Sequence, residues 1–205
     1  MQTFSYLGVQ IDETLNNNTD VKNAVGRAKA AFWKHRVLLR NNLLLRIKLK
    51  MLKSLVFPIL RYGSECFALT KLIRTKITSF DLWCYRRIFK ICWTEKVSNE
   101  EVVRRIRLQN AMLLDSIIKR KASFFGHIAR GSAGDDLKGV LADSWRKIGR
   151  VRRGTSWWDA IEEVTNSKDV RANMVMGAQD KNEWLKMCRA RFPNLGDQRS
   201  LAVMV

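Results

Sequence analysis

Val21, Ala24, Val25, Ala28, Ala31 and Phe32 recur at the i, i+3, i+4, i+7 spacing that puts apolar side chains on one face of an α-helix. That period, rather than the period of two of a half-buried strand, returns along most of the 205 residues and makes the fold class mainly α. Asp20 is the expected N-cap of a first helix reaching about residue 40. A second helix is predicted over 45–60, kinked or stopped by Pro58, with a turn at Tyr62-Gly63-Ser64 after it. A third, over 72–91, would bury Ile73, Ile77, Phe80, Cys84, Ile88 and Ile91. Ser98 and Glu101 have capping-box spacing and open a short fourth helix. A fifth, over 111–130, carries Leu114, Ile117, Ile118, Phe125 and Ile128.

Residues 4–11 (FSYLGVQI) are rich in β-formers and are predicted as one short N-terminal strand. A lone strand is unstable. It needs a partner, either in the loop holding Asn16, Asn17 and Asn18 or in sequence outside this chain. Gly131, Gly134, Gly139, Gly149 and Gly154 mark a linker with a little helix around Leu141. Beyond it, helices over 155–164, near Val170 and over 180–191 would close around Trp157, Trp158, Ile161, Trp184 and Leu185. The expected organisation is a strand remnant at 1–12, a helical domain at 13–130 and a Gly/Arg-bearing linker at 131–154. A smaller helical module follows at 155–192 and a tail at 193–205.

The chain is 46% hydrophobic and 28% charged, which is globular rather than disordered composition. Its 38 Lys+Arg stand against 19 Asp+Glu, a formal net charge of +19. Such a surplus repels itself unless an anionic partner compensates it, and nucleic acid is the expected one. The surplus is uneven: residues 21–60 contain ten basic residues and no acidic one. On the side of the first helix away from its apolar face, Lys22, Gly26, Lys29, Trp33, Arg36 and Arg40 fall in one row. A solvated helix face mixes Glu with Lys for i, i+4 pairing, and this one has no Glu. The row therefore reads as a phosphate-tracking stripe in which Gly26 permits close approach and Trp33 offers a surface to a sugar or base. Further candidate contacts are Lys48, Lys53, Arg87, Arg105, Lys119 and Arg120, and Arg150, Arg152 and Arg153 on the linker. Lys119-Arg120-Lys121 and the linker arginines also resemble a weak nuclear-import signal, so an intracellular, nuclear location is expected.

Several chemistries are not expected. The four cysteines (Cys66, Cys84, Cys92 and Cys188) form no CxxC pair, and with only His35 and His127 they match no zinc spacing. The most apolar stretch, 43–60, is interrupted by Arg46, Lys48, Lys50 and Lys53, so a membrane span and a membrane partner are not expected. Metal-dependent nucleotidyl transfer needs clustered carboxylates. Asp135-Asp136 is an adjacent pair without flanking strands or a third carboxylate, and reads as a capping or turn element. His127, near the end of an apolar helix, reads as a helix-terminal or packing histidine. No catalytic residue, resident metal or cofactor is expected in this chain.

Several stretches together resemble the C-terminal part of non-LTR (LINE-type) retrotransposon endonuclease-reverse transcriptases. FSYLG is similar to the strand at the palm–thumb boundary of those enzymes. AKAAFWK, MLKSLVFPILRYGSECFALT and FDLWCYRRIFKICWTEKVSNEEVVRRI resemble their helical thumb in order and spacing. LLDSIIKRKASFFGHIARG, GRVRRGTSWWDAI and AQDKNEWLKM resemble the segments after the thumb. Arg61 and Phe67 depart from the pattern, which has an apolar residue and a Trp there.

The resemblance implies a thumb-like helical bundle from a parent RNA-directed DNA polymerase with an endonuclease domain. The parent's magnesium-binding palm, its fingers and its endonuclease would lie upstream. The implied partner is a template–primer duplex or RNA–DNA hybrid. The alternative is a retained or decayed helical protein-interaction domain with no polymerase role, in which exposed Trp157 and Trp158 dock a partner. Neither reading fixes an oligomeric state.

Overall fold

The computed structural model describes residues 3–6, 9–12, 17–106, 112–143, 157–165 and 171–192. The strand expected over 4–11 is not a single strand. Thr3–Tyr6 (β1) and Val9–Asp12 (β2) pair antiparallel in the register Thr3↔Asp12 to Tyr6↔Val9, so the segment partners itself. This meets the requirement that a strand's backbone groups be paired, and β2 lies against the first helix.

That helix, α1, spans Asn18–Lys34 and buries Val21, Ala24, Ala28 and Phe32, as its period demands. Asp20 is not the N-cap. The cap position is Asn17, and Asp20 is buried in the first turn. The Asn17 side chain accepts instead from the Ala68 N–H at 3.2 Å, tying the start of α1 to a segment 51 residues away. The helix breaks at His35, whose backbone (φ −100°, ψ 13°) leaves the helical region, and α2 (Arg36–Arg40) sets off separately.

The expected second helix is three pieces. Leu45–Met51 (α3) runs into a π turn at Leu52–Val56 and then into α4 (Phe57–Arg61). Pro58 cannot donate a backbone hydrogen bond. The wider π turn resets the register so that Pro58 falls in the first turn of α4, where no donor is needed.

Lys71–Ile88 (α5) is capped by Thr70, whose hydroxyl accepts from the Ile73 N–H, and buries Ile73, Ile77, Phe80, Cys84 and Ile88. It ends three residues short of the expected 91, so Ile91 lies beyond it and is only partly buried. Ser98 caps α6 (Asn99–Arg105) through the Glu101 N–H. The Glu101 carboxylate turns to Arg104 and Arg105 rather than closing a capping box. Met112–Ala129 (α7) is the long helix of the second half, and Asp135–Asp143 (α8) follows a glycine-marked turn. The little helix expected around Leu141 is this nine-residue α8; Asp135 and Asp136 lie in its first turn, where their charges favour the helix dipole, and are not caps. Asp159–Thr165 (α9), Arg171–Gly177 (α10) and Lys181–Arg191 (α11) complete the order, with Asp180 capping α11 through the Asn182 and Glu183 N–H groups.

α5 packs on α1 and on α7, while α9 and α11 pack on α7 and on each other. Phe125 of α7 is the point where the halves meet: its ring centroid lies 5.4 Å from that of Trp158, 5.3 Å from Trp184 and 6.4 Å from Trp157. The Trp184 indole N–H donates to the Ala122 carbonyl at 2.9 Å. Gly126 lets that indole lie against the helix, since a Cβ there would stand 2.7 Å from it. The aromatics expected to form a separate C-terminal core close around a residue of the long helix instead.

Candidate nucleic-acid interface

The acid-free segment supplies an exposed cationic surface. Lys22, Gly26, Lys29 and Trp33 are exposed on α1, and nothing stands within 4 Å of a Cβ built on Gly26, so the backbone there can be approached closely. Arg36 and Arg40 are exposed too, on α2 beyond the break at His35.

At the end of α1 the side chains form a cation–aromatic cluster. Trp33 and the half-buried Trp83 of α5 meet edge to face, with centroids 6.1 Å apart and planes at 78°. The Arg87 guanidinium carbon lies 4.6 Å from the Trp33 centroid and 4.7 Å from that of Trp83. Lys29 Nζ stands 5.5 Å from the Trp83 ring. Phe32 and Phe80 hold Trp83 from the core side at 5.0 and 6.0 Å. A guanidinium spread over aromatic faces is ordered before a phosphate arrives, and less entropy is lost when its in-plane donors are used. Sequence reasoning singled out Lys29, Trp33 and Arg87, and the fold brings them together. It missed Trp83, though Phe80, Trp83 and Arg87 are spaced i, i+3, i+7 and so share one helix face.

The remaining candidates divide. Lys48, half-buried on α3, has its pKa lowered by burial first and then by the charge of Lys90. Lys53 sits in the π turn, half-buried; burial lowers its pKa and Asp81 opposes the shift. Arg105 pairs with Glu101 at 3.0 Å on an exposed i, i+4 spacing. Such an exposed pair is weak and screened by salt, so a phosphate can displace it. Arg120 is held more firmly, with Nε and Nη2 donating to the two Glu65 carboxylate oxygens at 2.8 and 3.1 Å.

Lys119 is half-buried beside it, and Lys121 points inward, donating to the Glu65 and Phe67 carbonyls. That run is therefore largely occupied by the fold. Arg150, Arg152 and Arg153 lie outside the described residues. His127 is exposed in the last turn of α7, at a cleft of about 350 Å³ shared with Arg120, Arg130 and Lys181.

Among the described residues no three His, Cys, Asp or Glu side chains are grouped so as to hold a metal ion. Nor, among them, is any helix long and apolar enough to cross a membrane.

The chain is 25% identical to a transposon-derived protein of Caenorhabditis elegans over 203 residues, an alignment spanning 93% of this chain and 71% of that protein. No family model matches the chain, and no solved structure is significantly similar to it.

Proposed function

We propose that this chain is the duplex-binding thumb and post-thumb portion of a non-LTR retrotransposon reverse transcriptase. It would hold a template–primer duplex or RNA–DNA hybrid by its phosphates. Polymerase chemistry and its magnesium ions belong, in this reading, to a palm outside the chain, and work on chromosomal DNA would take the parent to the nucleus. The observation that carries the reading is the exposed, acid-free surface of α1 and α2, with Arg87 laid over Trp33 and Trp83 at its centre. Likeness to a transposon-derived protein along nearly the whole chain supports it. The protein-docking alternative loses its anchor, since Trp158 is 3% exposed and the Trp157 indole N–H donates to the Glu65 carbonyl at 2.7 Å.

Binding of the 205-residue chain to a labelled RNA–DNA hybrid tests the proposal. About six or more phosphate contacts should weaken it about 10³-fold or more between 50 and 200 mM salt, through release of counterions. Changing Lys29, Arg36 and Arg40 together to Glu should abolish most of the affinity while leaving the helical circular-dichroism signal intact. Affinity indifferent to salt, or retained by the triple variant, would remove this surface from consideration.

A further inference from the structure

Trp93 is 89% exposed, the highest value among the exposed large hydrophobic side chains described. It sits in the loop between α5 and α6, and that loop is built rather than slack. The α5 end closes with two backbone bonds, Lys90 N–H to the Arg87 carbonyl at 3.3 Å and Ile91 N–H to the Arg86 carbonyl at 2.9 Å. Cys92 and Glu95 then cap one another: the Glu95 carboxylate accepts from the Cys92 N–H at 2.7 Å, and the Cys92 side chain accepts from the Glu95 N–H. From behind, Arg86 donates to the Val97 carbonyl and to the Asn99 side chain, both at 2.9 Å.

Two residues of the loop take left-handed backbone conformations, Lys90 at φ 56° and Lys96 at φ 46°, and among the described residues no other non-glycine has positive φ. Non-glycine residues enter this region in only a few per cent of cases. Here two do so on either side of one tryptophan, and the result is an indole held out from a rigid mount with both faces open. Backbone strain of this kind gathers at binding and active sites.

We propose that Trp93 is a stacking platform for an unpaired nucleobase, on a strand whose phosphates pass Lys90 and Lys96. Every base offers a π-face, so a free indole flanked by cations takes single-stranded nucleic acid without regard to sequence. The Lys90 N–H bonds the Arg87 carbonyl, so the loop begins at the helix end that carries the Arg87–Trp33–Trp83 cluster. Glu95, the acidic residue of the loop, is turned back on the Cys92 N–H. A protein-docking hot spot sits inside a ring of other apolar contacts. Along the chain Trp93 is flanked by Cys92 and Thr94, with Lys90 and Lys96 three residues to either side and no exposed large apolar neighbour in the loop. The inference rests on the nucleic-acid reading above and narrows it to a junction: duplex on the helical face, an unpaired strand at the loop.

The test compares the full chain with Trp93→Ala and Trp93→Phe on two RNA–DNA hybrids, one blunt and one with a five-nucleotide single-stranded overhang carrying 2-aminopurine. Wild type should prefer the overhang by about 10-fold, the scale of one base stacked on an aromatic ring, and should quench the 2-aminopurine. Trp93→Ala should lose preference and quenching while keeping blunt-end affinity and its salt dependence; Trp93→Phe should keep most of both. Salt-sensitive binding in which Trp93→Ala retains the full overhang preference would overturn the stacking role and leave the duplex reading standing. No binding of wild type to either hybrid would overturn both. Trp93-dependent self-association, or stoichiometric capture of a protein with nucleic acid digested away, would reassign the indole to a protein contact.

Discussion

Asp81 and Lys121 join segments far apart in sequence, and for each the charged form is the one that burial disfavours. Asp81, fully buried on α5, accepts from the Leu113 N–H at 2.9 Å and so caps the start of α7 from another helix. Burial pushes its carboxyl up to about 7, against the lowering pull of that hydrogen bond. Lys121, fully buried on α7, donates to the Glu65 and Phe67 carbonyls at 3.0 and 2.6 Å and lies 4.5 Å from the Trp157 ring centroid. Burial brings its ammonium down to about 7. The signs are opposite. A carboxyl raised in the fold contributes stability that is complete below its unfolded value near 4 and is lost as pH rises through 7. An ammonium lowered in the fold exacts its full cost below 7 and is relieved as pH climbs toward 10.5. The two limbs meet near pH 7, where their combined contribution is least. Asp81→Asn keeps an acceptor for Leu113 and removes the acid limb. Its stability relative to wild type should rise between pH 4.5 and 7.5, by on the order of 3 kcal/mol. Urea midpoints at the two pH values check this, and a difference that stays flat would mean Asp81 ionises freely in the fold.

Two helix ends show what local sequence can and cannot disclose. α7 closes with Gly131 at φ +73°, its N–H on the Ile128 carbonyl at 2.8 Å and the Ser132 N–H on that of His127 at 3.2 Å. α5 closes with the same pair of bonds, but Lys90 stands in the left-handed position. Glycine is the residue that advertises this turn, so the end of α7 is legible in the sequence, whereas Lys90 gives no such signal and α5 stops three residues before the expected 91. Pro58 misled in a similar way: it announces a break, while the π turn that absorbs it lies upstream and has no residue signature of its own. The apolar faces of α1, α5 and α7 were legible because burial follows the helical period. Lys90→Gly removes the left-handed penalty and should stabilise the protein by about 1 kcal/mol. The gain should show as a higher urea midpoint at unchanged slope. An unchanged midpoint would mean the rest of the loop already offsets the strain.

At the scale of the molecule, the charge pattern was legible and its grouping was not. An acid-free run of 40 residues can be counted in one dimension. That Arg120 would be taken by Glu65, 55 residues away, and that Trp83 would meet Trp33, depend on how α1, α5 and α7 pack. The same packing governs the C-terminal helices, read from glycine content as a module behind a linker. Trp157, Trp158 and Trp184 gather on Phe125, and the Arg130 guanidinium reaches the Ala178 carbonyl at 2.7 Å. Interactions shared this closely make two halves unfold together. Phe125→Leu keeps an apolar residue at the junction but withdraws ring contacts from both sides, at a cost of about 1 kcal/mol. In a chain of this size that lowers the melting temperature by roughly 2–4 °C. Far-UV circular dichroism follows all the helices, whereas tryptophan emission weights the junction where three of the seven tryptophans sit. Both signals should move by the same amount and remain superimposed. If emission melted early and the helical signal held its wild-type midpoint, α9–α11 would be a separate unit resting on the bundle, and the duplex-binding surface would be intact without them.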